Sequence, residues 1–265
     1  MQEILALTLD AMHLDQQRLD RVAANLANAT TPGYKREVAA SQPLAPSGAS
    51  FATALGRATQ QPGSVAPMNT SSYGALVVRS DLQASTLKST GQSLDLALAG
   101  PGYFEVSTDQ GPAYTRQGNF HVDARGRLVD AKGNAVMGKG GEIYLAGPAP
   151  TIDAAGNVYE DPTAGTHTTD GQAVAQLRLV QFAENQEPRR LGDGLLAAAA
   201  GTEPLAMKDA DVQLRQGFLE NSNVGSMQEM VQLMQTTRHF ESLQKAALAY
   251  DDMVGQAVRK LGDLA

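Results

Sequence analysis

Few side chains of this sequence have the types and spacings that catalysis or metal binding requires. The histidines, which are spread along the chain, are His13, His121, His167 and His239. No two of them have the short spacing typical of neighbouring metal ligands, so packed or solvated histidines are the expectation. Asp251 and Asp252 are adjacent carboxylates, but neighbouring residues of a helix point in different directions and cannot flank one bond.

The sequence also lacks the short motifs that mark common active sites. It has no cysteine, which excludes disulfides, thiolate nucleophiles and cysteine-based metal sites. It contains no Gly-x-Ser-x-Gly motif, phosphate-binding loop or dinucleotide fingerprint. A site assembled from distant residues stays open, but we expect no catalytic residue, no metal, no cofactor and no small-molecule substrate.

Charge and hydropathy disfavour further classes of protein. Lys+Arg 21 against Asp+Glu 28 gives a net charge of −7, which argues against binding to nucleic acid or to an anionic membrane. No apolar run approaches the roughly 18 residues that span a bilayer. Glu3 and Asp10 interrupt the apolar start of the chain and no basic region precedes it, so we predict no cleaved secretory signal.

Apolar residues recur with helical periodicity at both ends of the chain, and we expect them to form an interface. A spacing near 3.5 residues predicts a coiled-coil seam that needs a partner helix. In this interpretation Ala23 fills a vacant seam position, and Asp10 and Asp15 mark the wetter side of the first helix. The apolar positions are Leu5, Leu9, Met12, Leu19, Leu26, Met230, Leu233, Phe240, Ala247, Tyr250, Val254 and Leu261.

The first helix is predicted over residues 3–28, because Pro32 and Gly33 follow it and stop it. Asn25 and Asn28 offer amides that would pair across a helix contact, and such buried polar groups fix a register because an unpaired one costs about 1–3 kcal/mol. The alternative is that Asn28 only ends the helix and Asn25 faces water.

The middle of the chain has a different pattern. From 75 to 215, short apolar runs alternate with turns such as Asp123-Ala-Arg-Gly126 and Asp130-Ala-Lys-Gly133, which predicts a small, barrel-like or sandwich-like antiparallel β-domain. From 37 to 72 the composition shifts to Ala, Ser, Pro, Gly and Gln, which predicts an extended arm with a short helix near 51–58.

The predicted fold class is α+β, with paired N- and C-terminal helices forming a coiled-coil layer and a central, mostly antiparallel β-domain. The predicted segments are a helix in 1–32, the arm in 33–74, the β-domain in 75–215 and a helix in 216–265. A pair of helices exposes apolar residues on its outer sides, which favours a self-assembling structural protein. Joining the two ends of so long a chain also has a high entropic cost, which favours helices that become ordered only on assembly. The alternatives are an adhesin or glycan-binding module, and a cell-wall enzyme with a coiled-coil tether.

The segment Ala23-Ala-Asn-Leu-Ala-Asn-Ala-Thr-Thr-Pro-Gly-Tyr-Lys35 resembles the signature of bacterial flagellar rod and hook proteins. The family pattern is Ala-Asn-Asn-Leu-Ala-Asn followed by Gly-Phe/Tyr-Lys/Arg, and this chain departs from it at Ala24. Three further blocks, at residues 100–106, 114–120 and 217–224, agree with the family in order. Together these matches are specific, although each alone is weak.

The resemblance implies a structural subunit of the flagellar basal-body rod, which polymerises helically through its terminal helices into a hollow drive shaft and export channel. It implies a periplasmic location after unfolded, uncleaved passage through the flagellar type III export apparatus. The implied partners are copies of itself, other rod and hook proteins, the export apparatus and the surrounding rings. Gly33, Tyr34 and Asn223 join the expected interface residues on this ground.

The resemblance leaves the paralogue open. The arm after the first helix is about as long as in distal rod proteins, whereas Arg238-His-Phe-Glu241 is more typical of proximal rod proteins.

Overall fold

The computed structural model describes residues 2–41, 76–147, 150–160, 173–183, 188–199 and 201–262. Helix α1 spans Gln2–Ala27 and helix α2 spans Ser226–Gly262, with strands between them. The predicted α+β class, with a helix at each end of an antiparallel β region, is therefore confirmed. The predicted short helix near 51–58 and most of the arm lie outside the described residues.

The strands are short, as the spacing of the glycine turns predicts. In chain order they are β1 (Glu37–Ser41), β2 (Leu76–Ser80), β3 (Leu87–Ser89), β4 (Leu96–Leu98), β5 (Tyr103–Thr108), β6 (Gly111–Thr115), β7 (His121–Val122), β8 (Leu128–Val129), β9 (Ala135–Gly138), β10 (Gly141–Glu142), β11 (Thr151–Ile152), β12 (Asn157–Tyr159), β13 (Ala175–Gln176), β14 (Leu179–Gln181), β15 (Arg189–Gly192), β16 (Leu195–Ala197), β17 (Leu205–Ala206), β18 (Leu214–Gln216) and β19 (Phe218–Glu220). A 3-10 turn covers Asp209–Asp211.

All described strand pairings are antiparallel. The largest sheet has the order β15-β16-β6-β5-β9-β8-β7, with β10 beside β9, β14 beside β5 and β17 beside β14. Strands β11, β12 and β13 form a second sheet, and β1 pairs with β2 as a ribbon. Strand β18 pairs with β4, and β19 pairs with β3. The segment just before α2 is thus part of the β-structure, and the helix itself begins only at Ser226.

The chain divides into two compact units. The terminal unit contains the described parts of residues 1–24, 37–80 and 227–265, and the β unit contains those of 25–36 and 81–226. The last residues of α1 and the loop after it therefore belong to the β unit. The predicted segments 1–32, 33–74, 75–215 and 216–265 stay a prediction about roles in an assembly.

The β unit contains two clusters of buried apolar residues, and the larger one is its main core. Phe104 and Phe120 meet edge to face at its centre, with ring centroids 5.1 Å apart. Because neighbouring strand residues point to opposite faces, Tyr103 leaves this core and packs instead on Phe182, with Tyr114 on that ring's other edge. The buried core residues include Leu96, Leu98, Val106, Leu128, Val136, Ile143, Val158, Leu177 and Leu179.

Three turns of one design connect strands of the β unit. In each, an aspartate Oδ1 accepts hydrogen bonds from the backbone N–H groups two and four residues on, and a glycine with positive φ follows. The first two are the predicted turns at Asp123 and Asp130, and the third begins at Asp153. The prediction of the turns at Asp123 and Asp130 is confirmed.

Candidate assembly interface

A regular stripe of half-covered side chains runs along α2. Its members, which include Thr236, recur at alternating spacings of three and four residues. They are Leu233, Thr236, Phe240, Leu243, Ala247, Tyr250 and Val254. The sequence analysis predicted most of this stripe from the same periodicity. We call these residues the α2 seam.

A similar stripe on α1 coincides only in part with the predicted positions. It consists of buried or half-covered residues that recur at spacings of three and four, and we call them the α1 seam: Thr8, Met12, Asp15, Leu19, Val22 and Leu26. Val22 is buried, whereas Ala23, which was expected to fill the seam, is exposed. Leu9 lies outside the stripe and is 56 % exposed. Leu5 also lies in α1, and Leu261 in α2.

Asp15 is the residue for which the sequence interpretation was wrong. The interpretation assigned it to the wet side of α1, but only 1 % of the residue is exposed. Its Oδ1 accepts a hydrogen bond from Arg18 Nη1 at 3.2 Å, and its Oδ2 contacts His239 Nδ1 of α2. Both oxygens of the buried carboxylate are thus engaged, and one of the two partners is on the other helix.

The two histidines of the terminal helices have separate partners. His13 Nε2 lies 2.8 Å from Gln17 Nε2, one turn further along α1, and His239 pairs with Asp15.

Large apolar side chains remain uncovered on both helices. On α2, Met227, Met230, Val231 and Met234 are exposed at the spacing of one helix face, and we call them the methionine face. Met230 was predicted as a seam residue, but it belongs to this exposed face. Leu7 and Leu9 of α1 and Leu248 and Met253 of α2 are also exposed. Apolar patches of this kind mark surfaces that a partner covers.

In the β unit, the loop after α1 is held in place by its own motif residues. Asn25 is buried, and its Oδ1 accepts a hydrogen bond from the Tyr34 hydroxyl at 3.3 Å. The alternative that Asn25 faces water is therefore wrong. Asn28 lies just after the helix, where its Oδ1 accepts from the Thr31 hydroxyl at 3.2 Å.

Gly33 is the point of closest approach in this loop. Its N–H donates to the Glu220 carbonyl at 2.8 Å, and its φ is +66°. A Cβ placed there would lie 2.5 Å from the backbone carbonyl of Arg116. Only glycine meets both conditions, which explains why the motif places this residue type at position 33.

A buried ion triad lies under this loop and consists of Lys35, Arg116 and Glu220. Glu220 Oε1 accepts from Lys35 Nζ at 2.7 Å and from the Ser85 N–H at 2.9 Å, and its Oε2 accepts from Arg116 Nη1 at 3.3 Å. Two further hydrogen bonds reach backbone carbonyls: Lys35 Nζ donates to Gln83 O at 2.6 Å, and Arg116 Nη2 to the carbonyl of Gly100 at 2.7 Å. Such dense pairing is what a buried charge requires.

Burial sets the direction of the pKa shifts around the triad. The pKa of Lys35 is lowered because burial disfavours the ammonium ion, and the hydrogen bond to Glu220 opposes that shift. Burial likewise raises the pKa of the Tyr103 phenol, whereas the charge of the nearby Arg116 guanidinium acts to lower it. That guanidinium lies over the Tyr103 ring, 5.2 Å from its centroid.

Asn223 ties the block at 217–224 to the same loop. Its Oδ1 accepts from the Arg36 N–H at 2.6 Å, its Nδ2 donates to Asp81 O at 2.9 Å, and its N–H donates to Tyr34 O at 3.3 Å. The Arg190 guanidinium lies over the Tyr34 ring, 4.9 Å from its centroid, and donates to Lys35 O at 3.1 Å. The predicted residues Gly33, Tyr34 and Asn223 are therefore brought together within the β unit, and their role in an assembly interface stays a prediction.

Sequence reasoning missed the members of the ion triad as a group. Lys35 and Glu220 stand inside the quoted family motifs, and Arg116 lies in the block at 114–120. Their position inside these motifs was the available signal.

Within the described ranges, no helix is long and apolar enough to cross a membrane. Among the same residues, no group of three or more histidine and carboxylate side chains is placed to hold a metal ion.

Three sequence profiles of flagellar proteins match this chain in separate regions. The profile described as the flagella basal body rod protein matches residues 9–35, which contain the motif at Ala23–Lys35. The flagellar hook protein FlgE/F/G D1 domain matches 97–160, and the C-terminal domain of the flagellar basal body rod FlgEFG proteins matches 215–260. The matches therefore cover parts of both helices and part of the β unit.

Relatives extend the similarity over nearly the full length. The chain is 33 % identical to the flagellar basal-body rod protein FlgG of Bacillus subtilis, over 92 % of this chain and 93 % of that protein. It is 29 % identical to FlgF of Rhizobium meliloti over 99 % of both chains, and 32 % identical to FlgF of Salmonella typhimurium over 92 % and 91 %. The chain belongs to the family of flagellar basal-body rod proteins, which are structural components of the basal body.

Proposed function

We propose that this structural subunit of the flagellar basal-body rod polymerises helically through its two terminal helices, forming the wall of a hollow shaft and channel. The single observation that carries the proposal is the set of apolar side chains that one chain leaves uncovered. The methionine face is the clearest case, with Met227 81 % exposed. In a helical polymer, the same head-to-tail contact repeats from subunit to subunit without closing into a ring. Each such contact buries an apolar face of this kind against the next subunit.

The two helices pair antiparallel in this proposal. The Asp15–His239 contact lies about three turns before the end of α1 and about three and a half turns after the start of α2. In this register, Met12 is level with Leu243, Leu19 with Thr236 and Val22 with Leu233. Seam residue thus meets seam residue along the pair, as in a coiled coil.

The remaining predictions of the resemblance are part of the proposal. The partners are sister copies, other rod and hook proteins and the surrounding rings. The subunit passes unfolded and uncleaved through the flagellar type III export apparatus and takes its place in the periplasmic space. Leu5, Leu9, Leu26, Met230 and Leu261 are proposed contacts in the polymer.

The proposal is tested by placing charge on the methionine face. Met230→Glu together with Met234→Glu should abolish incorporation into purified basal bodies and swimming in soft agar, because an ionised carboxylate cannot be buried without a partner. Gln235→Glu changes a neighbouring exposed side chain of α2 and should leave both readouts unchanged. Normal incorporation of the double variant would disprove the role of this face.

A second measurement addresses the order of the helices before assembly. We propose that they are poorly ordered in the dilute subunit, since their partners in the polymer are missing. Circular dichroism of the dilute chain should then give less helix than α1 and α2 together require. Full helix content at high dilution would contradict this part of the proposal.

A further inference from the structure

A small cavity lies beside the ion triad, and its whole wall belongs to the β unit. Both cations of the triad, Lys35 and Arg116, line it. The space in which the centre of a water-sized particle can lie is about 10 Å³, so the cavity accepts one small particle. The other residues of the wall are Gly33, Tyr103, Arg190, Gly194 and Leu196.

One hydrogen-bond donor of the cavity wall is buried and has no acceptor among the described residues. It is the Nε–H group of Arg116, a residue that is only 5 % exposed. The Nη atoms of the same guanidinium donate to Glu220 and to the carbonyls of Leu98 and Gly100. Because a buried N–H group without an acceptor costs free energy, this arrangement favours a particle that brings an acceptor to Nε.

The ion triad also carries an excess of positive charge. Lys35 and Arg116 contribute two cations, and Glu220 contributes the carboxylate that both of them contact. None of the three side chains is more than 5 % exposed, so water screens the excess charge poorly. Asp81 is a further carboxyl group near Lys35, but it does not line the cavity, and its Oδ1 accepts the Gln83 N–H.

We propose that the cavity binds one small monovalent anion such as chloride, which accepts the Arg116 Nε–H group and offsets the excess charge of the triad. A water molecule would accept the same hydrogen bond, but it is neutral and would leave the charge uncompensated. Sulfate and phosphate carry several oxygens each and exceed the available space. Since the whole chain has a net charge of −7, its bulk charge repels anions and the binding depends on this site.

The exposure of the wall residues indicates where an ion enters. Arg190 and Gly194 are half-covered, whereas the other wall residues are buried, so the route from solvent passes beside these two. Arg190 brings a third cationic side chain to this entrance. Lys35 belongs to the loop after α1 and Tyr103 to strand β5, so a bound anion would join this loop to the sheet.

The test measures chloride binding to the full-length chain by NMR of the chloride nucleus, whose signal broadens when the ion exchanges with a protein site. Chloride replaces gluconate, a large organic anion, at constant ionic strength, so that electrostatic screening stays fixed. We expect excess broadening of the chloride signal. Bromide should remove it by competition, whereas sulfate at the same ionic strength should not.

Two substitutions in the triad should change the chloride affinity in opposite directions. Arg116→Gln removes the Nε–H donor and a cation, so the affinity should fall by at least about tenfold. Glu220→Gln keeps the size of the side chain and removes its negative charge, so the affinity should rise by about tenfold or more. Losses of affinity in both folded variants, or a change in neither, would overturn the proposal.

A third variant keeps the test decisive if a triad substitution prevents folding, which circular dichroism detects. Arg190→Gln removes the cationic side chain at the entrance and should lower the chloride affinity several-fold. Arg189→Gln is the matched control, because it changes an exposed neighbour in the same strand and should leave the affinity unaltered. Equal affinities of these two variants would overturn the proposal, as would a lack of bromide-sensitive broadening with the unaltered chain.

Discussion

The β unit and the terminal helices treat their apolar side chains in opposite ways. In the β unit, Phe104, Val106 and Val136 are essentially inaccessible to water, and the ion triad under the loop is paired on every member. On the helices, the seams are for the most part only partly covered, and residues such as Met227 and Leu248 are open to solvent. One region is thus complete in a single chain, whereas the other is completed by its neighbours in the proposed assembly. Substitutions in the two regions should therefore fail in different assays.

The largest effect should come from the core of the β unit. Phe104→Ala removes a buried ring and its contact with Phe120, which should lower the free energy of unfolding by about 3–5 kcal/mol. Met234→Ala on the methionine face should change it by less than about 0.5 kcal/mol, because that side chain is already exposed. Urea unfolding of the two variants gives both values. Equal losses would contradict the division into a complete and an incomplete region.

A similar loss is expected when the ion triad loses its carboxylate. Glu220→Ala leaves the Lys35 and Arg116 charges buried without their partner, so it should cost about 3–5 kcal/mol in urea unfolding. Glu203→Ala removes an exposed carboxylate of the same unit and serves as control, with an expected change below about 0.5 kcal/mol. A small effect at Glu220 would show that the triad does not support the loop.

The next effect separates two costs of replacing a glycine. Gly33 and Gly91 have similar positive φ angles, +66° and +72°, but a Cβ at Gly91 would meet no atom within 4 Å. Gly91→Ala should cost about 1–2 kcal/mol through backbone strain alone. Gly33→Ala should cost roughly 1–3 kcal/mol more, because its Cβ meets the Arg116 backbone. Thermal unfolding followed by circular dichroism compares them, and equal costs would exclude the steric part.

A smaller effect is expected at the repeated turns. Asp153→Ala removes the acceptor of the Ala155 and Asn157 N–H groups and should cost about 1–2 kcal/mol. Asp109→Ala, at an exposed turn residue between β5 and β6, should cost less than about 0.5 kcal/mol in the same urea titration. If the two substitutions cost the same, the side-chain bonds of the turn do not contribute.

The sequence was most informative where the determining interactions are local. Both helices, the strand beginning at Tyr103 and the turns at Asp123 and Asp130 follow from periodicity and from residues only a few positions apart. The half-covered positions of α2 follow the predicted periodicity for the same reason, and their role as a seam stays a prediction.

Two features were beyond local reasoning. Asp15 looked like a solvent-facing residue because a carboxylate on an isolated amphipathic helix belongs on the wet side, and only the approach of His239 reverses that assignment. The ion triad joins residues 185 positions apart at Lys35 and Glu220, and 104 apart at Arg116 and Glu220. No periodicity connects such distant positions, and each residue taken singly reads as surface charge.

The separation of Lys35 and Glu220 also constrains the time course of folding. Synthesis delivers the polypeptide from its N-terminus, so α1 and its loop emerge first and β19 emerges almost last. Closing so long a segment carries a high entropic cost and cannot begin until Glu220 has arrived. The loop after α1 therefore lacks its anchor until the chain is nearly complete. Docking of this carboxylate marks the moment at which the β unit acquires its finished shape, and a chain cut short before β19 never reaches it.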